Sequence, residues 1–301
     1  MINIEEVCKK YSISLKKVEY YDWYFLLFSD NKIYLLKDGK DNKKLLSYFE
    51  TIHYSFYLKR INESIDSYQL YVYPMNVEKD SNILGQELIK AISDLQLKTV
   101  FDEEILEDKY NNFYQKVIAD IDYQMKYYLD LQDYIEGFSF PRLDYYYLLL
   151  HISSIYKILQ RARYYFDLWY KKKNLKFRKC YSIHNVSTCN FIASDSSCFI
   201  DFSECYQDLI ITDFVNFYRN ELLSFDMISL FDIYQKSIPF REEELLLLKT
   251  FICIPKRLDF SKNTYANTVS IYYLLEYIEK TNLFLEENEK NQEANEDEFK
   301  E

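Results

Sequence analysis

The sequence predicts an α+β protein of two lobes, with a small β-rich N-terminal lobe over residues 1–75 and a large helical C-terminal lobe over 76–285. Three observations predict it. Strand-like apolar runs broken by polar turns fill the first lobe. Long stretches of helical periodicity dominate the rest, and short apolar runs return between 179 and 202 inside that helical part.

In the first lobe, DWYFLLF (22–28), the turn Ser29-Asp30-Asn31 and KIYLLK (32–37) make a β-hairpin pattern. A short helix is expected over 41–53, with Leu45, Leu46 and Phe49 on one face. A second hairpin is expected from 55–60, the turn Asn62-Glu63-Ser64 and 68–73, ended by Pro74, which lacks a ladder donor. Helices follow over 84–97, where Leu84, Leu88, Ala91, Ile92 and Leu95 share a face, and over 109–135 and 143–171, parted by Gly137 and Pro141. Short strands are expected at 179–183, 191–193 and 198–202, then more helices to about 285. Segment 286–301 (EENEKNQEANEDEFKE) has a single large apolar residue and is expected to be a disordered acidic tail.

Of 301 residues, 49% are apolar, enough for a globular core. The 32 Tyr and 22 Phe against 3 Gly and 4 Pro fit codon bias in an AT-rich genome. Tyr occurs in every segment rather than in one patch, so it reads as packing and surface filler, not as a stacking platform. A net charge of -11 argues against a nucleic-acid or anionic-membrane partner, because both need a positive field. The strongest apolar run, 145–152, is far too short for a membrane span. The six cysteines show no C-x-x-C pair and no signal peptide precedes them, so reduced thiols in a cytoplasm are expected. Cys189, Cys198 and Cys205 are spaced too widely for a tight zinc-chelating pair.

Four segments carry chemistry or its outline: KIYLLK ending in Lys37; LIKAISDLQLKT (88–99); YSIHNVSTCNFI (181–192); and CFIDFSE (198–204) followed by DLIITDFVNFYR (208–219). In this order they resemble the aminoglycoside phosphotransferase and choline kinase branch of the protein-kinase-like fold, including kinase-like proteins linked to spore coats. The resemblance runs from about Trp23 to Leu285.

By that resemblance, Lys37 is the strand lysine that meets the ATP phosphates, and Glu50 its helix partner. Read from residues alone, Lys37 is equally a solvated lysine opening the turn Lys37-Asp38-Gly39-Lys40. Asn190 and Asp201 take the metal positions, and Asp213 the one that braces the catalytic loop. Alone, Asp201 also fits a carboxylate capping a helix. The catalytic base, an Asp in the family, falls on Asn185 when counted back from Asn190, or on Val186 when His184 is aligned with the family histidine. Neither side chain accepts a proton at neutral pH. Between Ser12 and Trp23 there is also no glycine to let a loop approach phosphates.

The resemblance therefore implies a kinase-like protein with an impaired site, a pseudokinase acting as a binding or regulatory module for a partner protein. The alternative is an active small-molecule kinase using ATP and Mg2+ on a hydroxyl of a cationic or amine-bearing substrate; the impaired form needs neither cofactor. Asp226, Asp232 and Glu242 to Glu244 are candidates to line a groove for such a cation, or simply a solvated helix face.

Overall fold

Strand pairing begins earlier than the sequence pattern suggests. The computed structural model describes residues 2–298 apart from 22, 39–42, 62–67, 76, 79 and 261–262, with the main chain alone at 43 and 290–298. It opens with helix α1 (Ile4–Lys10), capped by Asn3, whose side chain accepts from the Glu6 amide at 3.3 Å. An antiparallel sheet follows in the order β1 (Lys17–Tyr21), β2 (Tyr24–Phe28), β3 (Ile33–Asp38) and β4 (Tyr68–Tyr73), with α2 (Lys43–Thr51) between the last two. The rest of the chain forms α3 (Ser81–Thr99), β5 (Phe101–Glu104), α4 (Glu107–Glu136), α5 (Leu143–Lys172), β6 (Lys176–Ser182), β7 (Phe191–Ile192), β8 (Cys198–Phe199), β9 (Tyr206–Leu209), α6 (Thr212–Glu221), α7 (Met227–Ser237), α8 (Glu242–Ile252) and α9 (Thr264–Glu298).

The first hairpin forms as expected, with β2 and β3 paired from Tyr24↔Lys37 to Phe28↔Ile33. The second does not. Residues 55–60 make only isolated bridges, Tyr57 with Phe199 and Arg60 with Tyr71, and β4 pairs with β3 instead. Its expected turn at 62–64, and Gly39-Lys40 of the other turn, lie outside the described residues. The reason is burial on both faces of the sheet. Leu27, Leu36 and Leu70 pack on Val7 and Cys8 of α1, while Leu26, Leu35 and Tyr71 pack on Leu58, Ile192 and Ile200. β3 thus offers β4 a leucine on each face, whereas the 55–60 segment contributes Leu58 to one.

The chain divides into two compact units, residues 1–100 with 180–208, and residues 101–179 with 209–301; the sequence-drawn division at 75 cuts it differently. In the first unit, segment 180–208 is knitted to the first hundred residues by the main chain. The Glu78 amide donates to the Ala193 carbonyl at 2.8 Å, the Phe199 amide to Phe56 at 3.0 Å, and the Tyr181 amide to Thr99 Oγ1 at 3.1 Å. The antiparallel pair β7 and β8 thereby docks Ile192 and Cys198 on the sheet.

The second unit is helical around α5, whose Ile155, Leu159 and Phe166 are fully buried. Tyr110 of α4 lies with its ring 4.6 Å from Trp169 and 5.4 Å from Tyr170. Asp144 is fully buried and takes hydrogen bonds from Arg142 Nη2 at 2.6 Å and Asn267 Nδ2 at 2.8 Å, so its charge is compensated. Helix α9 runs on to Glu298 through the segment expected to be disordered. There Glu289 accepts from the Tyr165 hydroxyl at 2.7 Å and pairs with Arg161 at 3.5 Å, contacts that a composition count cannot anticipate. Among the described residues no helix is long and apolar enough to cross a membrane.

Candidate functional site

The alternation of a β-strand puts Leu35 and Lys37 of β3 on the same face, toward the apolar cluster of Tyr24, Leu26, Tyr71 and Ile200. Lys37 is therefore only 6% exposed. Its ammonium donates to Asp201 Oδ1 at 2.7 Å and to the Ile200 carbonyl at 3.2 Å. It also lies 5.8 Å from the Trp23 ring centre and 5.7 Å from that of Tyr71, within cation–π range.

Asp201 follows β8, and its second oxygen accepts from the Ser203 hydroxyl. Burial pushes its carboxyl up, but the adjacent Lys37 charge and the hydrogen bonds from Lys37 and Ser203 outweigh that and hold it below the usual carboxylate range. Asn190 is 1% exposed and clamps the loop to this strand end. Its Oδ1 accepts from the Asp201 amide at 2.8 Å, while its Nδ2 donates to the carbonyls of Asn185 at 2.9 Å and Asp201 at 3.0 Å. Lys37, Asn190 and Asp201 thus converge within the first unit.

Glu50 does not join them. It is exposed near the end of α2, about one residue's rotation from the buried Phe49, and it hydrogen-bonds Tyr57; Asp201 is the ion partner of Lys37. Asn185 is exposed, with its carbonyl engaged by Asn190, and Val186 is fully buried. The solvent-facing position of this loop therefore carries an amide.

A carboxylate near the loop escaped sequence reasoning. Asp208 Oδ2 stands 3.0 Å from His184 Nε2, while His184 Nδ1 stands 3.0 Å from the Ser182 carbonyl. Both ring nitrogens stand opposite oxygens, so the ring is fixed from two sides. The ring also stacks on Tyr206 at 3.8 Å. His184 has φ of 62°, and the Asn185 amide turns back to the Ile183 carbonyl at 2.7 Å, a strained tight turn held by these side-chain contacts. Nothing in the sequence couples residues 24 apart, so this pair carried no signal.

The donor set of Asp201 and Asn190, one carboxylate and one amide oxygen, is of the hard-oxygen kind that magnesium takes. Both groups are committed here, Asp201 to Lys37 and Ser203, and Asn190 Oδ1 to a main-chain amide. The cavity around Lys37 and Asp201 is about 50 Å³, walled by Tyr57, Leu58, Gln69 and Tyr71. Ligand pockets commonly run to roughly 300–1,000 Å³. A larger opening of about 790 Å³ in the same unit, beside Ser55 to Lys59 and Ser194 to Cys198, is lined by none of Lys37, Asn190 and Asp201.

No protein-family model matches the sequence, and no curated protein matches it. Solved structures do match. An aminoglycoside phosphotransferase from Alicyclobacillus acidocaldarius aligns over 98% of this chain and 97% of its own, with a TM-score of 0.69 at 10% identity. A spectinomycin phosphotransferase, solved with ADP and spectinomycin, aligns over 94% of this chain and 93% of its own, with a TM-score of 0.53 at 11% identity. The chain has the aminoglycoside phosphotransferase fold.

Within that phosphotransferase fold, four of the five acids that are candidates to line a cationic-substrate groove are otherwise engaged, and the fifth, Asp232, is exposed on α7. Asp226 caps α7, Glu242 pairs with Lys172, Glu243 accepts from Asn174, and Glu244 is bound by Arg178, with Nε to Oε1 at 2.8 Å. Asp213 is fully buried in the first turn of α6, in the second unit.

Proposed function

We propose that the chain is a pseudokinase, a phosphotransferase-fold protein that has lost efficient phosphoryl transfer and serves as a binding or regulatory module for a partner protein. The observation that carries this reading is the closed ion pair. Lys37 and Asp201 satisfy each other in a cavity of about 50 Å³, and the solvent-facing loop position holds the amide of Asn185. An amide there removes general-base help worth on the order of 100- to 10,000-fold. Cytoplasmic residence belongs to the same reading and is supported by six cysteines that are thiols rather than disulfides.

A second reading, an active kinase using ATP and Mg2+ on a hydroxyl-bearing amine, is favoured by one observation: Lys37, Asn190 and Asp201 converge. In it Lys37 would hold phosphate oxygens, Asp201 and Asn190 a magnesium ion that supplies charge neutralisation, and Ser203 would orient Asp201. Phosphoryl transfer depends mainly on positioning and electrostatics, so loss of the base slows it without abolishing it.

Thermal shift with ATP and Mg2+, on the native chain and on Asp201→Ala, separates the two, alongside an assay of ADP release with kanamycin or choline. The pseudokinase reading expects no magnesium-dependent rise and no ADP release. A rise that vanishes in Asp201→Ala, together with acceptor-dependent ADP release, sinks it.

A further inference from the structure

The second unit holds a groove of about 650 Å³ between α4, the end of α6, the 254–259 loop and α9, and a recess of about 410 Å³ shares its lining at Gln124, Arg219, Ile254 and Arg257. Its charges are arranged unlike those around Lys37. Arg219 Nη2 donates to the carbonyls of Phe251 at 2.6 Å and Ile254 at 3.2 Å, capping the end of α8. Its guanidinium is reached by water yet surrounded by protein, and this desolvation pulls its pKa down against the opposing effect of Tyr277. Arg257 lies over the ring of Tyr127 at 4.9 Å and donates from Nη1 to the Tyr123 hydroxyl at 2.9 Å. Lys256 is exposed at the rim.

The ion pairs of the described residues include none to Arg219, Lys256 or Arg257. Two acids also line the space, Asp259 in the groove and Asp120 in the recess, and Asp259 acts on Tyr127. The cations therefore outnumber the acids three to two, and the partners of Arg219 among the described residues are two main-chain carbonyls and the Tyr277 phenol. A water-reachable guanidinium that meets no carboxylate is available to an incoming anion. A second orphan faces the same wall: Gln124 Oε1 is buried and accepts no hydrogen bond. Gln124 itself lines the groove, so a turn of its side chain brings that oxygen to a ligand O–H or N–H donor.

We propose that this groove binds a small, hydroxylated organic anion of the sugar-phosphate or sugar-acid class, with its anionic group on Arg219 and Arg257 and a hydroxyl on Gln124. The apolar surfaces of Tyr273 and Leu274 cover its body. This charge preference is opposite to that of a cationic aminoglycoside or amine, and it stands whether or not the Lys37 site takes nucleotide.

The test is isothermal titration of the full chain with glucose 6-phosphate, gluconate, glucose and choline. Glucose 6-phosphate or gluconate is expected to bind, and whichever binds more tightly assigns phosphate or carboxylate; glucose and choline are expected not to. Arg257→Gln is expected to weaken the anion by about tenfold or more, the scale of a lost charged hydrogen bond, while its melting temperature stays native, since Arg257 is exposed and, among the described residues, its hydrogen bond goes to Tyr123 and its ring contacts are with Tyr123 and Tyr127. Arg219→Gln removes the cap on α8 and serves only as a second arm if it folds. Asp201→Ala is expected to leave anion binding unchanged, which separates this groove from the nucleotide question. Silence from both anions, equal affinity in Arg257→Gln, or binding of choline or glucose in their place overturns the proposal.

Discussion

The two units treat positive charge in opposite ways. In the first, Lys37 is closed in by Asp201, Ile200, Trp23 and Tyr71, in a space that admits little more than water. In the second, Arg219 and Arg257 meet carbonyls, phenols and ring faces, beside a space more than ten times larger. A lysine and an aspartate that find each other inside a protein satisfy their charges, and they thereby compete with any outside ligand. Cations left to dipoles keep most of their electrostatic demand. Residues in motif positions and residues with unspent binding capacity are therefore different sets in this chain.

The sharpest way to break that contrast is to open the closed pair. Lys37→Met leaves the Asp201 carboxylate half-buried with only Ser203 on its side chain, and is expected to cost about 3 kcal/mol in urea denaturation at pH 7. Lys37→Met/Asp201→Asn is expected to recover much of that loss, because no uncompensated charge remains. A single mutant as stable as the native chain would mean that Lys37 is a ligand-ready cation like Arg257.

A smaller effect of the same pair appears in acid. The folded-state pKa of Asp201 is depressed by Lys37, so its contribution is complete above the ordinary carboxylate pKa and is lost as pH falls through the lower folded value. Stability measured from pH 5 downward is expected to fall more steeply in the native chain than in Asp201→Asn. Coincident slopes would show the pair to be electrostatically idle.

Much of the fold was legible because it is local. The periodicity of 109–135 and 143–171 predicts α4 and α5 closely, and the 22–37 hairpin needs only alternation and a polar turn. The 55–60 segment misled because strand propensity says nothing about the partner, and β3 was the better partner for β4. Helix α1 was missed because its apolar residues are few and become meaningful only against Leu27 and Leu36, and strand β1 because it is largely exposed and exists through its pairing with β2. For the site, Asn190 and Asp201 lie close in sequence and meet through a hydrogen bond, while the partner of Glu50 is Tyr57, which no local spacing discloses. The Asp208–His184 pair and the groove around Arg219 depend on long-range packing and left no local pattern.

The least effect, and the most direct view of whether the closed site ever opens, comes from thiol chemistry. Of the six cysteines only Cys189 is exposed, one residue before the Asn190 clamp, whereas burial pushes the Cys198 and Cys253 thiols up to about 12. Ellman's reagent at pH 8 is expected to label one thiol quickly and the rest only on unfolding. Because Asn190 ties the loop to Asp201 through two hydrogen bonds and to the Asn185 carbonyl through a third, entry of a nucleotide between Lys37 and Asp201 is expected to disturb the turn that presents Cys189. A labelling rate that ATP and Mg2+ leave unchanged keeps the pair closed. A change that disappears in Asp201→Ala would move the Lys37 site to the receptive side of the comparison.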